Sequence, residues 1–491
     1  MLKATRRSAV LLAIVAIGML AVSMPSFAEV QNIKVSGDET FRTFYRSNLT
    51  LSDADGGTLN SHNYFLMNTL GLNVDANLTE NVSVRGRITN EHTLGVTDNG
   101  VFVSQAYATI KDLFYSPFTL KVGTFPVQWG RGFVLGSSLI PSTVAAGGPV
   151  NNAISAQEFT DYTAFSGVEL KGDFGGTAAV GMPLSVDLVY LKLAENNIGR
   201  ADDNTLMGVN IGTRFENGEA EIYFLNKRDM NNAAWTGLGA PFVGVQNAPD
   251  NKPSVSTIGI RGSAKPVEGA NAYGELAYQF GQRDYDGSTV SLIPGDAQQA
   301  WAVDLGADYT FASVPTTPKF GAEWVYYSGK DSESCTASAT ATHCGGVPGW
   351  DPIARSYFTS ALRDFQTSSG TAAFYAPTQA GVTGGNTNQH QLSLYGSMKP
   401  LEDLTIAPRL SWYFLDKGIR PIPTNGTAAS AQGTRKNYVG MEFDTQVTYN
   451  YTDDVQFGLI YGLFAPGTVF RHAGGFQSDA QELVSTVSVK F

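Results

Sequence analysis

The sequence predicts an all-β fold: one antiparallel transmembrane β-barrel of about 18 strands, with short periplasmic turns and long extracellular loops. Three observations carry that prediction. Apolar and polar residues alternate with period two in segment after segment, short and long connections alternate along the chain, and the two ends carry an export pattern and a terminal aromatic strand.

The opening stretch is "MLKATRRSAVLLAIVAIGMLAVSMPSFA". Lys3, Arg6 and Arg7 precede an apolar run from Ala9 to Val22, and Ser26-Phe27-Ala28 ends it on a small residue. That layout predicts a cleaved signal peptide over 1–28, leaving 29–491 as a single barrel domain. The run is short for a helix that must cross a bilayer, which takes roughly twenty residues, and no later window reaches even about eighteen. Membrane residence is then open only to a closed barrel.

Composition agrees. Charged residues make up 16% of the chain and aromatics 11%, with 53 glycines, against roughly 25% charge in an average soluble domain. The formal net charge of −11 argues against nucleic acid as a partner. The two cysteines, Cys335 and Cys344, lie in "SCTASATATHCGG", where an exported chain most simply forms one disulfide that cinches the loop.

The strands show their two faces in turn. In "NVSVRGRITNEH", Val82, Val84 and Ile88 oppose Arg85, Arg87, Thr89 and Glu91. In "SVSTIGIRGSA", Ile258 and Ile260 alternate with Thr257 and Arg261. "AWAVDLGADYTF" sets Trp301, Val303, Leu305, Ala307 and Tyr309 against Asp304 and Asp308. "DLTIAPRLSWYFL" sets Leu404, Ile406, Leu410, Trp412 and Phe414 against Thr405, Arg409 and Ser411. "VGMEFDTQVTYNY" sets Val439, Met441, Phe443, Val447 and Tyr449 against Glu442, Asp444, Gln446 and Thr448. The final "ELVSTVSVKF" keeps Leu483, Val487, Val489 and Phe491 on one face.

A soluble sandwich would alternate as well. Connection lengths separate the two cases. "LTEN", "DLFYSP", "ENG", "KPVEG", "KPLED" and "YTDD" are tight, whereas residues 127–160, 228–253, 284–297, 328–386, 417–436 and 465–481 are long. One rim therefore has turns and the other has loops, as in outer-membrane barrels.

The stretch "QAYATIKDLFYSPFTLKVGTFPVQWGRGFVLGSS", residues 105–138, with Trp129-Gly130-Arg131-Gly132 followed by Leu135-Gly136, resembles the alginate-export-like group of bacterial outer-membrane barrels. In that family the stretch reads approximately Gly-Arg-Gln, then Trp/Tyr-Gly, then Arg-Leu-Leu-Gly. Here Gly123-Thr124-Phe125 stands where Gly-Arg-Gln is usual, so one expected pore arginine is missing. The resemblance implies an 18-stranded, porin-like barrel in the cell outer membrane, with loops folding into or over the lumen. It also implies that Phe491 is the terminal signal read by the barrel-assembly machinery, and that outer-membrane lipid surrounds the wall.

If the apolar face meets lipid, parity turns the other face inward. The expected pore-lining residues are Arg42, Arg46, Arg85, Arg87, Glu91, Lys121, Arg214, Arg261, Glu323 and Arg409 on strands, and Arg131 in the first long loop. Basic residues dominate the early strands and acidic ones dominate from about residue 275, an arrangement that orients dipolar solutes across a bore. Residues 127–160 are expected to form a constriction and 328–386 an external cap. His62, His92, His343, His390 and His472 are scattered, and "DADGG" lacks the acidic residue a calcium loop needs at its twelfth position, which is Tyr64. No enzyme, metal or cofactor is expected. The expected function is passive diffusion of small hydrophilic solutes; the alternatives are export of an anionic polysaccharide such as alginate, and a structural or adhesive barrel.

Overall fold

The computed structural model describes residues 32–49, 62–95, 100–115, 117–136, 159–161, 163–176, 182–194, 203–228, 254–282, 297–329, 335–338, 341–344, 349–354, 359–363, 387–419, 434–469 and 478–491. The expected signal peptide lies outside them.

The strands are β1 (Asn32–Ser47), β2 (His62–Asn77), β3 (Val82–Thr93), β4 (Val101–Ile110), β5 (Phe118–Phe125), β6 (Phe165–Gly176), β7 (Pro183–Ala194), β8 (Asn204–Phe215), β9 (Gly218–Arg228) and β10 (Ser254–Ala264). They continue with β11 (Ala270–Gln282), β12 (Ala297–Thr310), β13 (Lys319–Tyr327), β14 (Cys335–Ser338), β15 (Ala341–Cys344), β16 (Gln389–Leu401), β17 (Leu404–Ile419), β18 (Lys436–Asn450), β19 (Val455–Pro466) and β20 (Ala480–Lys490). All except β14 and β15 belong to one 18-stranded sheet in which each strand pairs with its neighbours in the chain, and β1 also pairs with β20. Closure leaves no free edge, which is what makes a sheet tolerable in hydrocarbon.

The seam explains the aromatic terminus. Asp38 to Ser47 of β1 pair with Lys490 to Gln481 of β20, and Gly37 and Phe491 extend the ladder with reciprocal backbone hydrogen bonds of 2.7 and 2.9 Å. A methyl group at Gly37 would strike the Phe491 ring, so the glycine is what lets the last aromatic close against the first strand.

The connections sort by rim as the sequence predicts. Turns after β2, β4, β8, β10, β12, β16 and β18 share one rim with Asn32 and Lys490, and the long connections share the other. Outward positions are apolar and exposed, as at Val84, Ile88, Leu188, Ile211, Ile258, Ile260, Leu305 and Leu394. In water such a surface would be a large exposed patch; in lipid it is solvated. Near the turn rim Tyr449, Tyr451 and Phe457 pack together at 6.1–6.5 Å, and near the loop rim Tyr278 meets Trp301 at 4.5 Å. Aromatic rings near the two rims are what the two interfaces of a bilayer select in a membrane barrel.

The interior is partly filled. Val127, Trp129, Phe133, Val134 and Leu135, from the connection after β5, pack with Trp350, Ile353 and Ala354 against inward side chains such as Leu206, Leu225 and Tyr327. The two connections are joined by backbone, with Gly136 N–H donating to Ala354 at 2.6 Å and Ala354 N–H to Val134 at 3.3 Å. A second cluster gathers Leu362 with Tyr413, Leu415, Val439 and Phe464. Of the connection 328–386, expected as an external cap, the described pieces 349–354 and 359–363 lie against inward-facing side chains, while much of the rest lies outside the described residues. The inner wall offers them both apolar side chains and hydrogen-bond acceptors. The backbone of β14 and β15 sets Cys335 opposite Cys344.

Candidate functional site: the lumen

Below these folded-in segments lies a cavity of about 690 Å³ whose lining includes Arg131, Arg261, Arg409, Tyr273, Tyr395 and Asp444. Its construction follows one rule. Inward tyrosines lie flat over glycines on the adjacent strand, and their hydroxyls reach the carboxylate one strand further on.

Tyr273 of β11 is directly opposite Gly306 of β12, which is opposite Glu323 of β13. The Tyr273 hydroxyl donates to Glu323 Oε1 at 3.0 Å. Tyr395 of β16 runs the other way, over Gly321 to Asp308 Oδ2 at 3.1 Å. Tyr223 of β9 crosses Gly259 and reaches Glu275 at 2.7 Å. A methyl at Gly259, Gly306 or Gly321 would collide with the ring above it. Glycine in a strand interior weakens the strand, and here it is the condition for a close approach.

The arginines rest on this frame. Arg131 comes in from the loop, with its guanidinium 3.7 Å from the centre of the Tyr273 ring. It donates to Asp304 at 3.2 Å and Glu323 at 3.1 Å. Arg409 stacks on Tyr395 at 4.7 Å and donates to the other oxygen of Glu323 at 2.8 Å. Arg261 is held by Glu219 at 2.9 Å and Glu221 at 2.5 Å. Gly130 has a φ of +57° and lies so close to Arg261 that a side chain there would meet it. The Trp-Gly-Arg-Gly motif is therefore a turn that presses glycine backbone onto Arg261 and delivers Arg131 to the acidic wall.

Trp129 fixes that turn from behind. Its ring packs against Tyr223 at 6.0 Å, its indole N–H donates to Asp187 at 2.9 Å, and Gly208 leaves the space it occupies.

The remaining expected residues divide by environment. Arg46 is buried at the seam, donating from Nε and Nη2 to Glu482 at 3.0 and 2.9 Å. Arg87 crosses Gly71 to grip both oxygens of Asp38 at 2.8 and 2.9 Å, and also donates to Asp161 at 2.8 Å. Glu91 is fully buried under Thr160 and Asp161. Arg42 lies 5.1 Å from the Phe159 ring. Lys121 pairs with Glu169 at 2.7 Å, and Lys171 joins the same carboxylate at 3.2 Å. Two stay open to the bore: the Arg85 side chain is 39% exposed, with Asp75 at 3.6 Å, and that of Arg214 is 85% exposed.

Parity thus sets the strand candidates on the inner wall, but the sequence shows neither which charges pair nor the parts of Tyr223, Tyr273, Tyr395, Glu169 and Glu482. An inward tyrosine beside an in-strand glycine was the available signal, and it needs the register to be read.

A family model described as alginate export matches residues 165–483. In three dimensions the chain is similar to Pseudomonas aeruginosa OpdO (TM-score 0.52, 11% identity, 94% of this chain and 98% of that one). It is also similar to Acinetobacter baumannii OccAB4 (TM-score 0.50, 12% identity, 95% of this chain and 100% of that one). A further structure, of P. aeruginosa OccK3 (OpdO), gives a TM-score of 0.51 at 11% identity, over 94% of this chain and 96% of that one. At such identities the likeness shows the fold alone. No curated protein matches by sequence.

Proposed function

The chain belongs to the alginate export family, and from that premise we propose that it is an outer-membrane channel for passive diffusion of small hydrophilic solutes. One observation carries the choice of cargo. Among the described residues, the arginines lining the cavity, Arg131, Arg261 and Arg409, are each held by wall carboxylates, while the one lysine of the lining, Lys319, lies 5.7 Å from the centre of the Tyr395 ring. A polyanion needs a run of uncompensated cations along its path, whereas a lining of paired opposite charges suits small polar or sugar-like solutes.

The family match favours a second reading, export of an anionic polysaccharide such as alginate. Liposome swelling separates the two: entry of glucose-sized solutes supports diffusion, while exclusion of them together with loss of polysaccharide secretion on gene deletion supports export. A barrel silent in every such assay would be structural or adhesive. No catalysis is proposed for a wall of this kind. Within the same proposal, Phe491 directs assembly by the barrel-assembly machinery, lipid covers the apolar band, and Cys335 and Cys344 form a disulfide.

A further inference from the structure

Two wall glutamates repeat one arrangement. On β3, Glu91 accepts the Thr160 hydroxyl on Oε1 at 2.5 Å and the Asp161 N–H on Oε2 at 2.9 Å. On β18, Glu442 accepts the N–H of Leu362 on Oε1 at 2.7 Å and that of Arg363 on Oε2 at 2.9 Å, with the Tyr413 hydroxyl more distant at 3.4 Å. Both residues are fully buried. In each case the two oxygens of one carboxylate take donors from two consecutive residues of a folded-in loop.

The second clasp has further support. Asp444, on the same face of β18, accepts the Ala361 N–H at 3.0 Å. Gly462 of β19 leaves room for the segment, since a methyl there would lie 2.9 Å from the Ala361 Cβ. Thr359, Ser360 and Ala361 in turn line the cavity, so where this segment docks decides how much bore remains beside it.

We propose that Glu91 and Glu442 are positioning residues that set the size limit of the channel, by clasping loop segments to opposite flanks of the seam. The inference rests on the diffusion reading above. Hydrogen bonds to an ionised acceptor are stronger than neutral ones, and a backbone N–H left without its acceptor in a buried setting is costly. Each carboxylate is covered by the donors it holds, so its contribution is geometric rather than a charge offered to passing ions.

The test is liposome swelling with glucose, sucrose and raffinose on the full-length protein and on E91Q and E442Q. At Glu442, glutamine keeps the shape but turns an NH₂ toward an N–H donor, shifting docking by about tenfold. At Glu91 the Thr160 hydroxyl can turn to accept from the new NH₂, so only the charge-assisted strength is lost and the shift is about threefold. The raffinose-to-glucose rate ratio is expected to rise in both variants while the ionic reversal potential stays at the wild-type value. Adding A361C/G462C to E442Q, in a C335S/C344S background, should return the ratio to wild type when oxidised and release it when reduced. T160A takes the hydroxyl donor from Glu91 Oε1 without changing the carboxylate, and should also raise the ratio. Unchanged ratios in a wild type and variants that all pass glucose would overturn the clasp inference alone. Exclusion of glucose by wild type and every variant would overturn the diffusion reading and the clasps with it.

Discussion

Replacing Arg131 by methionine keeps the aliphatic stem and removes the guanidinium that joins the folded-in turn to the wall. Asp304 and Glu323 are each 1% exposed in their side chains, and deleting one partner of a buried ion pair costs about 3–5 kcal/mol. Two features reduce that figure. Glu323 keeps Arg409 at 2.8 Å and Tyr273 at 3.0 Å, and the Arg131 side chain is itself 28% exposed, so solvent screens part of its attraction. We take about 2 kcal/mol, roughly a thirtyfold shift in the docking equilibrium of the turn. Hydrogen exchange on the reconstituted barrel reads it: the amides of Trp129 and Gly132, bonded to Leu135 and Trp129 at 2.9 and 3.0 Å, should exchange about thirtyfold faster in R131M. Amides of the β10–β11 ladder should be unaffected. Unchanged exchange at Trp129 and Gly132 would refute the claim that Arg131 anchors the turn.

Other consequences follow from the same contacts. R85E should move the reversal potential in a KCl gradient toward cations, by about 1 kcal/mol of local potential or a few-fold in permeability ratio; no shift would remove Arg85 from the conducting path. R46M should lower the heat-modification midpoint by breaking the buried pair with Glu482 at the seam, and R46M/E482M should recover most of the loss; equal midpoints for R46M and wild type would contradict a seam held by this pair. G208V should displace Trp129 and cost about 1–3 kcal/mol of packing, read as faster exchange in residues 127–135; wild-type exchange would mean that the ring does not need that space. Deleting Phe491 should cut the yield of heat-modifiable barrel, because the Gly37 ladder bonds are lost, and full yield would refute its part in closure.

The fold was largely legible because a barrel in lipid imposes a binary pattern that needs no long-range information. Val84, Arg85, Ile88 and Glu91 declare two faces, and "KPVEG" beside residues 228–253 declares two rims. What escaped were features that depend on register. The irregularity between Arg87 and Ile88 shifts the pairing of β3 with β4, which strict alternation does not reveal. Glu91 reads as a pore charge on parity alone, yet it is buried beneath a loop arriving from some seventy residues away. Gly306 reads as a weak spot in a strand until Tyr273 is seen lying across it. Inner-wall charges are thus poor guides to selectivity until their partners are known: of the arginines on the inner wall, Arg85 and Arg214 stay most open to solvent.

Water and small solutes are expected to pass through this barrel. Purified protein reconstituted in planar bilayers is the most direct measurement. Stepwise ionic conductance, accompanied by glucose-driven swelling of liposomes carrying the same protein, is the result expected. Silent bilayers together with liposomes that admit no sugar would contradict it.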